Sequence, residues 1–352
     1  MVKSKIVLLG LFILSFCVSV GTMHKFFPKQ KIIYQTINTH PKTAYFTVWS
    51  DNAFTLNRTL KHLSHELSKP QNGNYITSTM VPPQDIGLYN KDDLNIVVWE
   101  HFEIPLYKIT DRSYLWQIES PISIDVPPTE IYEAYFNKIF TYHKPSCDGK
   151  KVIHVPIPYN YEKIIKDYDF SKKDILLIHV GTFYQGHNYG QRAKAISWFL
   201  ENHPKDILFY GAEWHNLKQT LSKKAQLHFE KQYGGYIPDK IKTISRAKFV
   251  LAFENERFED YVSEKIYDAM AAGSVPIYSG APNITDYVPQ ACFIDFHKFK
   301  DHEELYDYIS TMTEDTYTTY MNCIETFMKN TEKHPNHPTN VVSIILSHID
   351  NK

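Results

Sequence analysis

Hydrophobic and polar positions alternate in a regular way along the second half of the chain. Apolar runs that predict buried strands lie at 175–181, 207–211, 248–254 and 275–280. Helical patterns at 191–202 and 263–273, and a polar helical stretch between the second and third runs, separate these strands. Short β-rich runs that alternate with helices predict a parallel, doubly wound sheet.

The first half shows a looser version of the same pattern. Strands are predicted at 44–50, 95–101, 114–120 and 138–143, with helical or irregular pieces between them. A chain of 352 residues suits two domains, and a charged segment that contains proline separates the two sets of strands. The predicted organisation is a first Rossmann-like domain at 44–160, a linker at 161–174, a second Rossmann-like domain at 175–330 and a tail at 331–352.

The N-terminus is the one strongly apolar segment. An uncharged run from Ile6 to Gly21 follows Lys3 and Lys5. The run falls between a signal-peptide core of roughly 7–15 residues and a spanning helix of about 20. We favour an uncleaved signal anchor over residues 1–25, with a cleaved signal peptide as the alternative, followed by a stem at 26–43.

An anchor of this orientation predicts a single-pass type II membrane protein. The rest of the chain would then lie in the Golgi lumen of a eukaryotic host, or in a secretory or cell-envelope space otherwise. The sequons at Asn57 and Asn283 become candidate glycosylation sites there. The three cysteines outside the apolar run, Cys147, Cys292 and Cys323, allow at most one intrachain disulfide.

Charge excludes one class of function. The chain has 38 basic and 39 acidic residues, and its net charge of −1 creates no broad field that would attract nucleic acid. No glycine-rich dinucleotide motif, Walker loop or nucleophile elbow occurs.

Charged side chains gather where the second sheet should bind a ligand. In open parallel sheets, ligands bind outside the carboxyl ends of the strands. Arg192 opens one helix there, and the loop after 248–254 brings Asn255 and Tyr261, then Glu264 and Lys265 in the first turn of the next helix. A cation in a first turn opposes the helix dipole unless an anion binds there.

These positions predict that Arg192 and Lys265 converge on one diphosphate and stabilise a leaving group without a metal. The alternative is that Lys265 pairs with Glu264 or Asp268 on a solvated face. Gly280, after the last strand, would allow close approach of the backbone.

One carboxylate stands out in the first half. Glu119 ends an apolar strand and precedes Ser120-Pro121, so it should lie at the carboxyl end of its sheet, facing the cleft between the domains. An apolar rim would raise its pKa toward that of a general base. The alternative is a strand-end residue that caps a loop or pairs with a lysine, and Glu100 and Glu103 are rivals for the same role.

No metal site is predicted. Asp167 and Asp169 imitate a metal-binding Asp-x-Asp but fall in the charged linker. Histidine pairs at 62–65 and 334–337 lack a clear third ligand.

The segment 248–299 resembles the donor-binding signature of the alpha-1,3-fucosyltransferases, glycosyltransferase family ten. The signature runs Phe-Glu-Asn, a short variable piece, Tyr-[Val/Ile]-[Ser/Thr]-Glu-Lys, a helix of small residues, a Val-Pro strand and Gly-[Ala/Pro]-x-Asn, and its order and spacing recur here. "WQIESP" and "FNKIFTYH" in the first half are weaker matches. Where the family commonly has arginine after Thr-Tyr-His, this chain has Lys144.

The resemblance implies a GT-B architecture, in which two Rossmann-like domains face each other across a cleft. It also implies transfer of L-fucose from GDP-fucose, with inversion, to an acceptor oligosaccharide or glycoprotein, and O-3 of GlcNAc is the expected position. No cofactor is implied beyond the donor, and stimulation by a divalent metal is left open.

Roles for six residues follow from the same resemblance. Glu119 would be the catalytic base that takes the proton from the acceptor hydroxyl. The donor-binding residues would be Arg192 and Lys265 at the diphosphate, Asn255 and Glu264 at hydroxyls of the ribose or fucose, and Tyr261.

Two other functions compete with this one. A retaining GT-B glycosyltransferase also has a small-residue helix and a following strand, but that group carries Glu-x7-Glu directly before the helix motif, where this chain has Asp260 and Asp268. A glycan-binding protein that kept the donor site and lost transfer is the non-enzymatic alternative.

Overall fold

The computed structural model describes residues 43–47, 53–72, 75–81, 93–99, 109–119, 132–159, 169–183 and 189–349. The predicted anchor at 1–25, all of the stem except its last residue, Glu100 and Glu103, and most of the linker lie outside these ranges. Within the ranges described, no helix has the length and hydropathy needed to cross a membrane.

The first half forms a six-stranded parallel sheet. Its strands in chain order are β1 Thr43–Thr47, β2 Ile76–Val81, β3 Leu94–Trp99, β4 Ser113–Gln117, β5 Lys138–Thr141 and β6 Val152–His154. They lie side by side in the order β2-β1-β3-β4-β5-β6, and each neighbouring pair is parallel. Helix α1, Ala53–Leu67, packs Leu60, Leu63 and Leu67 on this sheet.

The second half forms a five-stranded parallel sheet. Its strands are β7 Ile175–Val180, β8 Ile207–Tyr210, β9 Ala247–Phe253, β10 Val275–Ser279 and β11 Ile294–Asp295. Their order is β11-β10-β9-β7-β8, again parallel at each pairing. The buried faces of β9 and β10 are almost wholly apolar, as expected for strands covered by helices on both sides. The two predicted parallel α/β domains are therefore confirmed.

Eight further helices accompany these strands in the ranges described. They are α2 Tyr189–Asn202, α3 Trp214–Lys218, α4 Lys223–Gln232, α5 Lys240–Ile244, α6 Glu264–Ala271, α7 His302–Ser310, α8 Glu314–Met328 and α9 Pro338–His348. Helices α2 and α6 follow β7 and β9 directly, so their N-termini lie at the carboxyl edge of the second sheet. That edge is where the sequence predicted the ligand.

The end of the chain differs from the predicted tail. Helix α9 packs against α1, and its Val341, Val342 and Ile345 are buried in the same core as Leu60 and Leu63 of the first domain. The apolar face of α9 has the 3, 4 spacing of a packed helix, which explains why it is covered. Helix α9 thus packs on the first domain although it follows the second in sequence.

One disulfide joins Cys292 to Cys323 on helix α8. Cys147 is a free, partly buried thiol, and burial raises its pKa to about 11. The pairing agrees with the prediction of at most one intrachain bridge.

Candidate functional site

Arg192 lies at the point where the strand order of the second sheet reverses. Strands β7 and β9 are neighbours although β8 comes between them in sequence, and such a switch point is where open α/β sheets bind their ligands. The Arg192 side chain is 2% exposed. Its Nε and Nη2 donate to the carbonyl oxygen of Phe253 at 3.1 and 2.7 Å, and its Nη1 donates to that of Thr182 at 3.2 Å. The guanidinium therefore ties together the ends of the two strands.

A chain of hydrogen bonds connects Arg192 to Glu119 in the first domain. Arg192 Nη2 donates to Asn255 Oδ1 at 2.8 Å, and Asn255 Nδ2 lies 3.4 Å from the Tyr261 hydroxyl. Tyr261 in turn donates to Glu119 Oε2 at 2.9 Å. Four of the six predicted site residues are thus brought into one connected group.

Within this series of hydrogen bonds, Tyr261 makes the contact between the two domains. Its side chain is 1% exposed, and burial, together with the neighbouring Glu119 carboxylate, raises its pKa well above the ordinary value. The hydroxyl therefore stays protonated and donates. Its ring lies 5.3 Å from that of Tyr142, whose own hydroxyl donates to the Glu119 carbonyl oxygen at 3.4 Å.

Asp260, the residue before Tyr261, makes a second connection between the domains. It has a left-handed backbone with φ of 62°, which is uncommon for a residue other than glycine. Its Oδ2 accepts from the Lys144 backbone N–H at 3.0 Å, and its Oδ1 accepts from Asn283 Nδ2 at 2.8 Å. The amide nitrogen of the Asn283 sequon is thus engaged inside the protein.

The N-terminus of α6 places Lys265 beside a buried carboxylate. Lys265 Nζ lies 2.9 Å from Ser263 Oγ, 3.4 Å from Glu254 Oε2 and 3.6 Å from Glu264 Oε1. Glu254 has a fully covered side chain and also accepts from the N–H and hydroxyl of Ser263 at 2.8 and 2.6 Å. The anion expected at this helix N-terminus is supplied, in this structure, by Glu254.

Glu264 is held ionised by two lysines. Burial opposes its ionisation, but the ammonium groups of Lys265 and Lys240 outweigh that cost and lower the pKa of Glu264. Lys240 Nζ lies 3.7 Å from Glu264 and 2.6 Å from Asp268 Oδ2. Lys265 thus contacts Glu264, as the alternative prediction stated, but its side chain is only 13% exposed and does not lie on a solvated face. Asp268 instead contacts Lys240 and accepts from the Tyr159 hydroxyl at 2.9 Å.

His179, on β7, lies beneath the same group of cations. It is 1% exposed, and its Nδ1 pairs with the Leu251 carbonyl oxygen at 3.0 Å. Burial and the nearby Arg192 charge lower its pKa to about 3, so the ring is neutral. A neutral ring beside Arg192 adds no further positive charge to the switch point.

Sequence reasoning missed three members of this site. Glu254 belongs to the Phe-Glu-Asn motif, but its apolar neighbours suggested the end of a strand rather than a partner for Lys265. Lys240 is distant in sequence and His179 lies inside an apolar run, so neither carries a local signal. Close packing of neighbouring side chains requires glycine at position 280. A Cβ there would lie 2.4 Å from the Tyr278 hydroxyl and 2.5 Å from Glu254 Cγ.

A cleft with a volume of about 370 Å³ lies beside this network and is lined by both domains. Lys144 and His154 of the first domain face Glu259, Asp260, Asn283 and Tyr287 of the second. In the portion of the chain that is described, no group of three or more His, Cys, Asp and Glu side chains is arranged to hold a metal ion.

Known proteins share this fold and part of this sequence. The chain is 27% identical over 262 residues to 4-galactosyl-N-acetylglucosaminide 3-alpha-L-fucosyltransferase 9 of Mus musculus, a match that covers 70% of this chain and 64% of the mouse protein. The chain therefore spans slightly less than two thirds of that relative. An alpha-(1,4)-fucosyltransferase of Arabidopsis thaliana is 47% identical over 72 residues, which are 20% of this chain and 18% of the plant protein.

A solved alpha1,3-fucosyltransferase structure superimposes with a TM-score of 0.52 at 16% identity, over 90% of this chain and 94% of that one. An OtsA structure superimposes with a TM-score of 0.57 at 10% identity, over 88% and 99%. These likenesses show the fold. Residues 191–344 match the model of the "Glycosyltransferase family 10 (fucosyltransferase) C-term" domain. The resemblance to the alpha-1,3-fucosyltransferases is thus confirmed for the second half of this chain, which is similar to the C-terminal domain of glycosyltransferase family 10.

Proposed function

We propose that this protein is an inverting fucosyltransferase that moves L-fucose from GDP-fucose to a hydroxyl of an acceptor glycan, with O-3 of GlcNAc as the preferred position. The observation that supports this most directly is the hydrogen-bonded chain from Glu119 through Tyr261 and Asn255 to Arg192. It connects a carboxylate suited to act as a base to the switch point suited to a nucleotide. The name of the mouse relative describes 3-alpha-L-fucosyl transfer to a 4-galactosyl-N-acetylglucosaminide.

In the proposed reaction, Glu119 accepts the proton of the acceptor hydroxyl. The acceptor oxygen forms a bond to C1 of fucose while the bond from C1 to the diphosphate breaks, and GDP leaves. Charge develops on the diphosphate, where preorganised positive charge lowers the barrier most effectively. Lys265, 13% exposed, is the cation able to contact it, and Arg192 adds its charge from beneath the switch point.

The remaining predicted residues have supporting roles in this proposal. Glu264 is 29% exposed and kept ionised, so it is suited to accept hydrogen bonds from ribose or fucose hydroxyls. Asn255 and Tyr261 lie in the loop between β9 and α6, and their hydrogen bonds hold this loop in a fixed position relative to Glu119. The proposed reaction contains no step that uses a divalent metal. Stimulation by a metal is tested by comparing the transfer rate with a chelator present and with added Mn²⁺ or Mg²⁺.

We further propose that the N-terminal apolar run anchors the protein as a type II membrane protein in the secretory pathway, the Golgi lumen in a eukaryotic host. Support comes from the sequence of that run and its two preceding lysines. Carbonate extraction of membranes and protease protection of the C-terminal region test this proposal. Release by carbonate, or digestion without detergent, would contradict it.

The decisive experiment is to incubate the purified full chain with labelled GDP-fucose and an array of acceptor glycans. The proposal predicts transfer to acceptors that contain N-acetylglucosamine, with a product whose anomeric configuration is opposite to that of the donor. A product that keeps the donor configuration would favour a retaining enzyme. GDP binding without transfer to any acceptor would favour the non-catalytic alternative.

A further inference from the structure

The buried carboxylate of Glu254 has no part in the reaction as proposed, yet it occupies the position where the donor's anion would bind. Its side chain is fully covered, and both of its oxygens face the start of α6. Three donors converge on it, namely the Ser263 N–H, the Ser263 hydroxyl and Lys265 Nζ. Glu254 therefore acts as the internal counter-anion of Lys265.

This arrangement creates a conflict when a diphosphate binds. Lys265 Nζ is 3.4 Å from Glu254 Oε2, so an anion that contacts Lys265 also approaches a carboxylate that water cannot screen. Two anions that share one cation in a covered site repel each other, and this repulsion favours protonation of one of them. Both phosphates of GDP-fucose are esterified and therefore strongly acidic, so the carboxylate is the group that would be protonated.

From this geometry we infer that Glu254 is a counter-anion whose protonation is coupled to donor binding. It neutralises Lys265 in the free protein and takes up a proton from solvent when the donor diphosphate binds. The inference rests on the proposed function, since it assumes that GDP binds at Lys265. It names Glu254 as a positioning residue rather than a catalytic one. The uncharged carboxyl would keep its hydrogen bond with Ser263 while Lys265 turns to the phosphate.

The groups around Glu254 favour proton uptake by its carboxylate rather than release. Burial raises the pKa of Glu254, and Lys265 opposes that rise. Engaging Lys265 with a phosphate weakens this opposition, so the carboxyl becomes easier to protonate. The other titratable groups that face or influence Glu254 come from three elements: Glu264 and Tyr267 from α6, Tyr261 from the preceding loop and Tyr278 from β10. Glu264 also favours protonation of Glu254, and the three tyrosines stay neutral because their pKa values are raised.

Isothermal titration calorimetry of GDP-fucose into the full chain, without acceptor, tests the inference. Titrations between pH 7.0 and 8.5 in buffers with different ionisation enthalpies give the number of protons exchanged. The inference predicts net uptake of up to about one proton per GDP-fucose, so that the affinity for GDP-fucose falls as pH rises. Both phosphates of GDP-fucose are esterified, so the ligand lacks the terminal phosphate that would titrate at a pKa of about 6.

Two variants make the assignment to Glu254 specific. Glu254→Gln keeps a hydrogen-bonding side chain and should bind GDP-fucose without proton uptake, whereas Glu254→Asp should retain uptake. Glu303→Gln on the exposed face of α7 is the control and should behave like the wild type. If Glu254→Gln does not fold, the wild-type titration still decides the matter.

The possible failures are distinguishable. GDP-fucose binding without proton uptake in the wild type, or uptake that persists in Glu254→Gln, overturns the inference and leaves the proposed function intact. If GDP-fucose does not bind at all, both the proposed function and the inference fail.

Discussion

The two sheets of this molecule are alike in backbone and different in what their strand ends carry. Both are parallel, and both begin with the strand order 2-1-3-4-5. At the switch point of the second sheet, Arg192 is buried between the ends of β7 and β9, and Lys265 and Glu254 follow at α6. The first sheet contributes Glu119 after β4. The comparison teaches that the same backbone plan can present different side chains at its strand ends, so the roles proposed for the two sheets depend on their loops.

Removing Glu119, the proposed base in the first domain, should have the largest effect on catalysis. Glu119→Gln should lower kcat by about 10²–10⁴-fold, because general base catalysis contributes that much. GDP affinity should stay within about twofold, since the donor cations lie in the second domain. Glu133→Gln in the same domain is the control. A Glu119→Gln protein with the normal transfer rate would remove Glu119 from the base role.

Removing the accessible cation of the second domain should mainly weaken donor binding. Lys265→Ala should raise the Kd for GDP by roughly 10–150-fold, since hydrogen bonds to charged groups contribute about 1.5–3 kcal/mol. Calorimetry measures this change, and Lys194→Ala on the exposed side of α2 is the matched control. Equal losses in both variants would point to general charge attraction instead of a specific contact.

Replacing the buried cation should affect stability as well as activity. Arg192→Lys keeps the charge but loses the fork that bonds Phe253 and Thr182, so we expect a loss of about 1–3 kcal/mol in the free energy of unfolding. Thermal denaturation with and without GDP measures it. An unchanged melting temperature would show that Arg192 does not hold the strand ends together.

Removing one of the hydrogen bonds between the two domains should have the smallest effect. Tyr261→Phe removes the hydrogen bond to the Glu119 carboxylate and should lower kcat by about 2–10-fold, because a typical intramolecular hydrogen bond contributes about 0.5–1.5 kcal/mol. GDP affinity should change less than kcat. If affinity falls and kcat does not, Tyr261 belongs to the donor site alone.

The sequence was most informative where periodicity and local motifs coincide. Strands β7, β9 and β10 and helix α6 are predicted within a few residues, because apolar runs and helix starts are local properties. Strand β2 was missed because its sequence, Ile-Thr-Ser-Thr-Met-Val, is half polar, and β6 because it has only three residues. The helix that returns to the first domain, α9, could not be placed because its partner α1 lies almost the whole chain away.

The site shows the same division between local and distant information. The motif positions of Asn255, Tyr261, Glu264 and Lys265 are consecutive features that a single sequence displays. Their partners are not, since the contact of Tyr261 with Glu119 spans 142 positions, and Lys240 reaches Glu264 and Asp268 from a separate helix. Sequence reasoning therefore predicts which residues carry charge at the site, while the structure is needed to say which of them neutralise one another.

The most direct test of the account is a crystal structure of the full chain with GDP bound. We predict that the diphosphate lies over the carboxyl ends of β7 and β9, with a phosphate oxygen about 3 Å from Lys265 Nζ. A diphosphate bound at the first sheet, or at the second sheet without contact to Lys265, would contradict the division of roles between the two domains.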